Sequence, residues 1–197
     1  MTGTERRSQL VDVARSLFAE RGFDATSIEE IAQRASVSKP VVYEHFGGKE
    51  GIYAVVVDRE ISILLDMVSN ALEQNRSRVR VERVTLALLT YIEERTDGFR
   101  ILVRDQRLAA EDGTYSSLLN DAIGQVGHIL AGDLSRRGLD PALAPLYAQA
   151  LVGMVSSTAT WWLDERMPPK EAVAAHLVNL CWNGLTSLES DPRIGFE

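Results

Sequence analysis

Residues 26–53, TSIEEIAQRASVSKPVVYEHFGGKEGIY, predict two short helices joined by a tight turn, with a third helix beginning soon after. Ser27 and Glu30 fit a capping box, in which a hydroxyl and a carboxylate satisfy free amides at the start of the first helix. Ser38 is positioned to cap the second helix, and Pro40 falls in its first turn, where a missing amide proton costs nothing. Two helices with this spacing are typical of a DNA-binding helix-turn-helix.

The whole chain has the composition of a soluble globular protein. Its 197 residues are 45% hydrophobic and 25% charged, which is enough for a real core. The net charge of −7 argues at first against a nucleic-acid partner, but residues 1–50 hold 7 Lys and Arg against 8 Asp and Glu, so most of the acidic excess lies downstream. A small DNA-binding module needs only locally placed cations. The weak charge of residues 1–50 therefore favours a protein that recognises a specific DNA sequence over one that coats DNA non-specifically.

Several classes of protein are excluded by what the sequence lacks. Cys181 is the single cysteine, so an internal disulfide and a zinc-binding cysteine pair are excluded. We recognise no signal peptide and no membrane span, and we expect a cytoplasmic protein. His128 and His176 are far apart with no metal-binding spacing, and the neighbouring carboxylates of Glu93-Glu94 and Glu111-Asp112 point to different helix faces. We therefore predict no enzyme, no metal site and no cofactor.

Hydrophobic periodicity predicts helices along the whole chain, with no strand-like alternation. The fold class is therefore all-α, with about nine helices. We predict a helix-turn-helix DNA-binding domain over residues 1–50 and a larger helical ligand-binding and dimerisation domain over residues 51–197. Outside the helix-turn-helix, the predicted helices cover residues 5–21, 49–75, 79–95, 98–110, 114–137, 141–166 and 168–189.

The spacing, the turn, the tyrosine and the lysine of the N-terminal motif coincide with the signature of one protein family. The residues that carry the match run from Ile31-Ala32 to Val37-Ser38 and continue with Val42-Tyr43, His45-Phe46 and Lys49-Glu50. On these residues the chain resembles the TetR family of bacterial transcriptional regulators. One departure is Gly47-Gly48, where many relatives place polar residues.

The resemblance implies a homodimer whose two recognition helices enter successive major grooves of a palindromic operator. It also implies that a small ligand in the C-terminal domain shifts the fourth helix and moves the DNA-reading heads apart, which is allostery between two sites. Most relatives repress, so we predict a ligand-responsive repressor whose partners are double-stranded operator DNA, a small hydrophobic effector and a second copy of the chain. The alternative is a helical small-molecule-binding protein that has lost DNA binding, which the near-neutral charge of residues 1–50 favours.

Nine residues of the motif are candidates for DNA contact. Lys39 lies early on the recognition helix, where lysine reaches guanine or phosphate, and Val41 is a candidate for a thymine methyl group. The resemblance favours phosphate contacts by Tyr43 and Lys49, with packing and simple solvation as their alternatives. Helix capping or helix-end packing is the alternative for several others. The full set is Thr26, Ser27, Ser38, Lys39, Pro40, Val41, Tyr43, His45 and Lys49.

Candidates for a ligand pocket centre on Trp161-Trp162. Two adjacent tryptophans cover neighbouring directions of a helix, so one ring can face the core while the other faces a cavity or a partner chain. Packing alone is the alternative. By helix order, the candidate set is Met67, Phe99, Leu102, Met154, Thr158, Trp161 and Trp162.

The last two predicted helices are the candidates for a dimer interface. Residues 143–162 and 173–188 are apolar over more than one stripe, which is wider than a helix packed on one side requires. Two such helices from each chain can form a four-helix bundle across a twofold axis, and a fully internal core is the alternative. The candidate set is Leu151, Val155, Leu177, Leu180, Cys181, Gly184, Leu185 and Leu188.

Overall fold

The computed structural model describes residues 2–72, 77–102, 117–190 and 192. Within these ranges all regular structure is helical, which confirms the all-α prediction. The helices are α1 (Gly3–Arg21), α2 (Ile28–Arg34), α3 (Lys39–Phe46), α4 (Lys49–Leu72), α5 (Ser77–Glu94), α6 (residues 96–102), α7 (Ser117–Arg136), α8 (Ala144–Glu165) and α9 (Lys170–Thr186), with a 3-10 turn at Pro141–Leu143 before α8.

These bounds agree with most of the predicted helices, because the signals that set them are local. The predicted helix over residues 98–110 begins two residues earlier, at residue 96, and its part beyond residue 102 lies outside the described residues. The same holds for residues 73–75 of the predicted fourth helix, for residues 114–116 of the predicted seventh, and for the Glu111-Asp112 pair.

The helix-turn-helix begins and ends with the local chemistry that its sequence predicts, except at one residue. Ser27 and Glu30 form a capping box on α2: the Ser27 hydroxyl accepts from the Glu30 amide, and the Glu30 carboxylate accepts from the Ser27 amide. Ser38 occupies the cap position of α3, but its side chain makes no capping hydrogen bond, which corrects the prediction. Pro40, with its fixed φ, lies in the first turn and favours the helix there.

A glycine ends α3. Gly47 has φ 74°, in the left-handed region that glycine adopts without strain, and its amide donates to the carbonyl of Tyr43 at 2.8 Å. The Gly47-Gly48 departure from the family signature therefore has a structural use, since Gly48 also has a positive φ.

The described chain forms two compact units. The first contains residues 2–67 and 91–102, and its core is built from α1, α2, α3 and α4 together with the end of α5 and α6. Its fully buried side chains include Leu10, Leu17, Phe18, Ile31, Val42, Ile52, Tyr91, Ile92 and Ile101. Because residues 91–102 belong to this unit, the end of α5 and the start of α6 lie with the helices that carry the DNA-binding motif. The predicted functional boundary at residue 50 stays a prediction.

The second unit contains residues 68–72, 77–90, 117–190 and 192. Its cluster of α7 and α8 side chains is centred on Leu130, Leu134, Ala144 and Ala148, and partly buried hydrophobic side chains surround this cluster. On α9, the buried side chains are Val173, Ala174, Leu177, Val178 and Cys181, which form one stripe.

One stretch of the second unit is unusually apolar. Pro141–Glu165 is long and apolar enough to cross a membrane by length and composition, although we recognised no such span in the sequence, and only a small share of it is buried within the chain. A single stretch of this kind is weak evidence for a membrane segment, because a helix that packs against another protein surface has the same composition.

Candidate DNA-binding site

The turn between α2 and α3 is fixed by backbone hydrogen bonds and by buried apolar side chains. Ser36 adopts a left-handed conformation with φ 55°, and the Val37 amide donates to the carbonyl of Ala32 at 2.9 Å. Ile31 from α2 and Val42 from α3 are fully buried. Since Val42 turns one side of α3 into the core, the opposite side of the helix faces solvent.

That outward side of α3 brings several predicted DNA contacts together. Ser38, Lys39, Pro40 and Tyr43 are exposed, and the Tyr43 side chain is 53% exposed, so its hydroxyl is free to meet a phosphate. This exposure disfavours the alternative in which Tyr43 packs α3 onto α1. Val41 and His45 are half-buried at the sides of this surface.

Sequence reasoning missed one residue of this surface, Glu44. It is exposed and lies one turn after Pro40, beside Tyr43. A carboxylate here can accept a hydrogen bond from the amino group of cytosine in the major groove. The signal was available in the sequence, because Glu44 is two positions from the buried Val42 and therefore on a different side of the helix.

Lys39 is engaged in an ion pair within the chain. Its ammonium group donates to the carboxylate of Glu29 in the first turn of α2, and both side chains are about half exposed. The hydrogen bond from Lys39, together with backbone hydrogen bonding at the start of the helix, lowers the pKa of Glu29 below its ordinary value. The carboxylate is therefore ionised near neutral pH, and Lys39 must leave it to reach DNA.

Lys49 makes contacts that the sequence did not indicate. Its ammonium group donates to the carbonyl oxygens of Phe23 at 3.0 Å and Asp24 at 3.4 Å, and it lies 4.3 Å from the centre of the Phe23 ring. Lys49 thus fastens the start of α4 to the loop between α1 and α2. Its phosphate contact stays a prediction, alongside this structural role.

Thr26 and Ser27 are adjacent but have different roles in the structure. The Thr26 side chain is buried, and its hydroxyl donates to the carbonyl of Gly22 at 2.8 Å. It is therefore directed into the protein and away from any phosphate, which corrects its place among the DNA contacts. Ser27 caps α2, as predicted, and its half-buried position at the helix start is compatible with a nearby phosphate.

Comparison with known protein families agrees with this geometry. The family profile described as "Bacterial regulatory proteins, tetR family" matches residues 10–56, and the profile "Tetracyclin repressor-like, C-terminal domain" matches residues 67–194. The chain belongs to the TetR family. The first match covers the whole helix-turn-helix, and the second covers most of the remaining chain.

Two regulators are similar to this chain, one over most of its length and one over less than half. The chain is 32% identical over 192 residues to the HTH-type transcriptional activator FasR of Mycolicibacterium smegmatis, covering 92% of this chain and 84% of FasR. It is 29% identical over 88 residues to the negative transcriptional regulator IcaR of the Staphylococcus aureus biofilm operon icaADBC, covering 44% and 45% of the two chains.

A solved structure of a TetR-like regulator from Rhodococcus sp. RHA1 has the same fold, with a TM-score of 0.79 and 27% identity over 93% of this chain and 97% of that one. This TetR-family protein is thus a DNA-binding transcriptional regulator and not an enzyme, as predicted.

In this TetR-family chain the predicted ligand residues divide between the two units. Met67, Phe99 and Leu102 belong to the first unit, where Phe99 and Leu102 are buried and Met67 is half-buried. A cleft of about 200 Å³ in the same unit is lined by Phe18, Arg21, Gly22, Phe23, Asp24, Tyr53 and Ile101, so it contains none of the predicted residues.

The remaining ligand candidates lie on α8 in the second unit. Met154 and Thr158 are half-buried, and the two tryptophans have opposite environments, as predicted. Trp161 is 52% exposed, whereas Trp162 is 2% exposed and its indole donates to the carbonyl of Pro168 at 2.8 Å. Trp162 is therefore a core residue that supports the end of α8, which corrects its place among the pocket candidates.

The dimer candidates differ in how far their side chains are buried within a single chain. Leu177 and Cys181 are buried within their own chain, which corrects their assignment to an interface, and burial raises the pKa of the Cys181 thiol. Three further candidates, Leu151, Leu185 and Leu188, pack against the cluster of α7 and α8, and Val155 is half-buried. Leu180 and Gly184 are exposed, although they lie at or beside the angular position of the buried stripe of α9.

Leu146 of α8 lies in the apolar stretch 143–162 predicted for the dimer, although it is not in the candidate set. Leu146 is 63% exposed, and Trp161, for which the sequence leaves a cavity and a partner chain open, is exposed on the same helix. Leu146, Trp161 and Leu180 are therefore large apolar side chains that a single chain leaves more than half exposed.

Proposed function

We propose that this chain binds a palindromic operator as a homodimer and that a small hydrophobic molecule changes its affinity for that operator. The observation that carries the proposal is the outward side of α3, where Lys39, Tyr43 and Glu44 project beside one another while Val42 anchors the helix. Cation, phenol and carboxylate on one exposed helix side supply donors and acceptors for phosphates and for base edges.

The contacts have separate roles in this proposal. Tyr43 donates to a phosphate and fixes the register of α3 in the major groove. Lys39 leaves Glu29 and donates to a phosphate or to a guanine, and Glu44 accepts from a cytosine. Ser38, Pro40, Val41 and His45 line the same surface, with Ser27 and Lys49 at its border, and complete the proposed contact set.

The homodimer is supported by the uncovered apolar surface of α8 and α9. Leu146, Trp161 and Leu180 are each more than half exposed, and Gly184 lets a second helix approach closely. A second copy packed by a twofold axis against both helices covers this surface and forms a four-helix bundle. It also supplies the second recognition helix that a palindromic operator requires.

The effector site is proposed within residues 51–197, and residues 1–50 are the proposed DNA-binding domain. Family membership supports a small-molecule effector, and the apolar helices of the second unit favour a hydrophobic one. Met154, Thr158 and Trp161 on α8 stay the proposed effector contacts of the second unit. Met67, Phe99 and Leu102, which belong to the first unit, stay predictions of their own. A regulator of this kind acts on chromosomal DNA, and we place it in the cytoplasm.

Repression is the direction of regulation that we propose, because occupying an operator that overlaps a promoter is enough to block transcription. Activation is the second candidate, and a specific observation favours it. FasR, which is similar over most of this chain, is an activator. A reporter gene placed behind the operator separates the two, since deleting the regulator raises expression under repression and lowers it under activation.

The experiment that tests the DNA-binding surface starts from duplexes selected by the protein from a random pool. Fluorescence anisotropy across a salt series then compares the chain with Tyr43→Phe and with Tyr147→Phe, a matched tyrosine variant on α8. Loss of a hydrogen bond to a charged phosphate is expected to weaken binding of the Tyr43 variant roughly 10- to 100-fold. Equal affinity of the two variants would contradict the assigned phosphate contact, and failure to select any duplex would favour the small-molecule carrier.

A further inference from the structure

Glu60 is a buried carboxylate that the DNA-binding surface does not use. It lies on α4 and is 1% exposed. Its oxygens accept hydrogen bonds from Arg95 Nε at 2.9 Å, from Arg95 Nη2 at 2.6 Å and from the Tyr91 hydroxyl at 2.9 Å. Burial raises the pKa of Glu60, but these hydrogen bonds and the charges of Arg95 and Arg15 outweigh it and hold the pKa below its ordinary value. The carboxylate is therefore ionised and fully engaged.

The partners of Glu60 come from three other parts of the first unit. Tyr91 belongs to α5, and Arg95 lies between α5 and α6. Arg15 belongs to α1, and its Nη1 lies 3.7 Å from the Glu60 carboxylate. One carboxylate thus connects α1 of the DNA-binding motif and α4 with the residues that join α5 to α6. We call residues 95–98 the α5–α6 junction.

Two further polar contacts follow the same path. The Ser16 hydroxyl of α1 donates to Asp97 of the junction at 3.3 Å. On the same side of α1, Arg59 of α4 donates to Asp12 at 3.0 Å. The side of α1 that carries Asp12, Arg15 and Ser16 is therefore tied by polar groups both to α4 and to the junction.

Gly98 shows how closely the junction approaches the carboxylate. A methyl group at this position would lie 2.1 Å from Glu60 Oε2 and 2.8 Å from the Tyr91 hydroxyl. Only glycine allows the backbone of α6 to rest on the carboxylate at this distance. Any displacement of the junction toward α4 is blocked, and a displacement away from α4 pulls Arg95 from its carboxylate.

This arrangement favours two discrete states over gradual deformation. A buried carboxylate whose arginine is withdrawn is left as an uncompensated charge, so partial separation is strongly unfavourable. Arg15 Nε is buried and has no hydrogen-bond partner among the described residues, so the polar contact that α1 makes with Glu60 is incompletely satisfied. Packed elements with such polar contacts switch between arrangements and are not continuously deformable.

We propose that Glu60 is a positioning residue that couples the α5–α6 junction to α1 and α4, the two helices that flank the helix-turn-helix. While the junction is docked, Glu60 holds α1 and α4 in the orientation that operator DNA selects, and displacement of the junction releases them. The inference rests on the proposed function, because the effector is what would displace the junction. The coupling is reciprocal, so DNA bound at one end must stabilise the docked junction at the other.

Hydrogen–deuterium exchange with operator DNA tests this coupling without any effector. The probe is the duplex that the wild-type protein selects from a random pool, added at a saturating concentration confirmed by anisotropy. In the wild-type protein we expect the duplex to slow exchange in peptides covering residues 91–102 by about fivefold. In Glu60→Gln the duplex still binds, and exchange across residues 91–102 is the same with and without it.

Two further variants separate coupling from stability. Glu94→Gln makes the same chemical change at an exposed residue of α5. In this variant we expect the duplex to slow exchange in residues 91–102 as much as in the wild-type protein. Tyr91→Phe removes one hydrogen bond to Glu60 and keeps the Arg95 ion pair, so it replaces Glu60→Gln if that variant does not fold. We expect the duplex to slow exchange in residues 91–102 of Tyr91→Phe less than in the wild-type protein. A merely structural Glu60 would lower stability in these variants without removing the DNA-dependent change.

The outcomes distinguish this inference from the proposed function. If no duplex is selected, both fail, and the failure is seen before any exchange is measured. If the duplex binds and residues 91–102 of the wild-type protein do not respond, the coupling is refuted while DNA binding stands. A full response in Glu60→Gln, or in a folded Tyr91→Phe, would show that coupling takes another route.

Discussion

Replacing Gly98 by alanine perturbs the Glu60 cluster with a single methyl group. That methyl would lie 2.1 Å from Glu60 Oε2, 2.6 Å from its carboxyl carbon and 2.8 Å from the Tyr91 hydroxyl. The carboxylate cannot move aside freely, because Arg95 holds both of its oxygens. Either the Tyr91 hydrogen bond is lost or the backbone of α6 moves away from α4.

The size of the effect follows from three contributions to the free energy of unfolding. Overpacking a core position costs about 1–3 kcal/mol. Loss of the hydrogen bond from Tyr91 to the charged carboxylate costs about 1.5–3 kcal/mol. Alanine is favoured over glycine in a helix by about 1 kcal/mol, which offsets part of this. We expect Gly98→Ala to destabilise the free protein by about 2–4 kcal/mol, which lowers its Tm by roughly 5–15 °C.

Thermal unfolding followed by circular dichroism at one fixed protein concentration measures this change. The matched control is Gly124→Ala, because Gly124 lies within α7 and a methyl group there meets nothing within 4 Å. The control should gain up to about 1 kcal/mol from helix propensity. If Gly98→Ala were as stable as Gly124→Ala, the close approach of α6 to Glu60 would be wrong.

Three other predictions test the remaining charged contacts. Glu29→Gln releases Lys39, so we expect affinity for scrambled duplex DNA to rise by up to about fivefold and its salt dependence to steepen by about one unit, measured by anisotropy; an unchanged slope would contradict this. Lys49→Met removes the hydrogen bonds to Phe23 and Asp24, so we expect the free protein to lose about 1–3 kcal/mol in thermal unfolding, whereas a lysine that contacts only phosphate would leave the Tm unchanged. The pKa of Glu60 is lowered in the folded state. Its contribution to the free energy of unfolding is therefore fully present above its ordinary pKa of 4.5 and is lost as the pH falls through the pKa of the folded state. Urea unfolding at several pH values should therefore show the advantage of wild type over Glu60→Gln narrowing below about pH 4.5, and a constant difference would refute it.

The helix-turn-helix was predictable because its signals are local. The Ser27–Glu30 capping box involves residues three positions apart, and the structure confirms it. Gly47, which ends α3, likewise bonds to a carbonyl only four positions away. Ser38 shows the limit of such reasoning. Its side chain makes no capping hydrogen bond, in a helix that Pro40 already favours.

The polar contacts across the first unit were not predictable, because they depend on tertiary packing. Glu29 is 10 residues from Lys39, and Glu60 is 35 residues from Arg95. No periodicity in the sequence pairs them. Thr26 was assigned to DNA for the same reason, since only the packed loop directs its hydroxyl inward.

The dimer surface was predicted in part. The sequence indicated that α9 is apolar on more than one side, but it did not indicate which side faces the core of its own chain. Leu177 and Cys181 are buried, whereas Leu180 and Gly184, which lie close to them around the helix, are exposed. How far burial extends around and along α9 depends on how the helix meets the rest of its unit.

The account as a whole is tested most directly by the composition of the complex between the protein and its selected duplex. Sequencing of the selected pool gives the symmetry of the site, and sedimentation of the complex gives the number of chains bound. We expect a twofold-symmetric sequence whose half-sites are about one helical turn apart or a multiple of it, with chains bound in pairs. A selected site without symmetry, or a saturated duplex that carries a single chain, would contradict the homodimeric operator-binding regulator proposed for this chain.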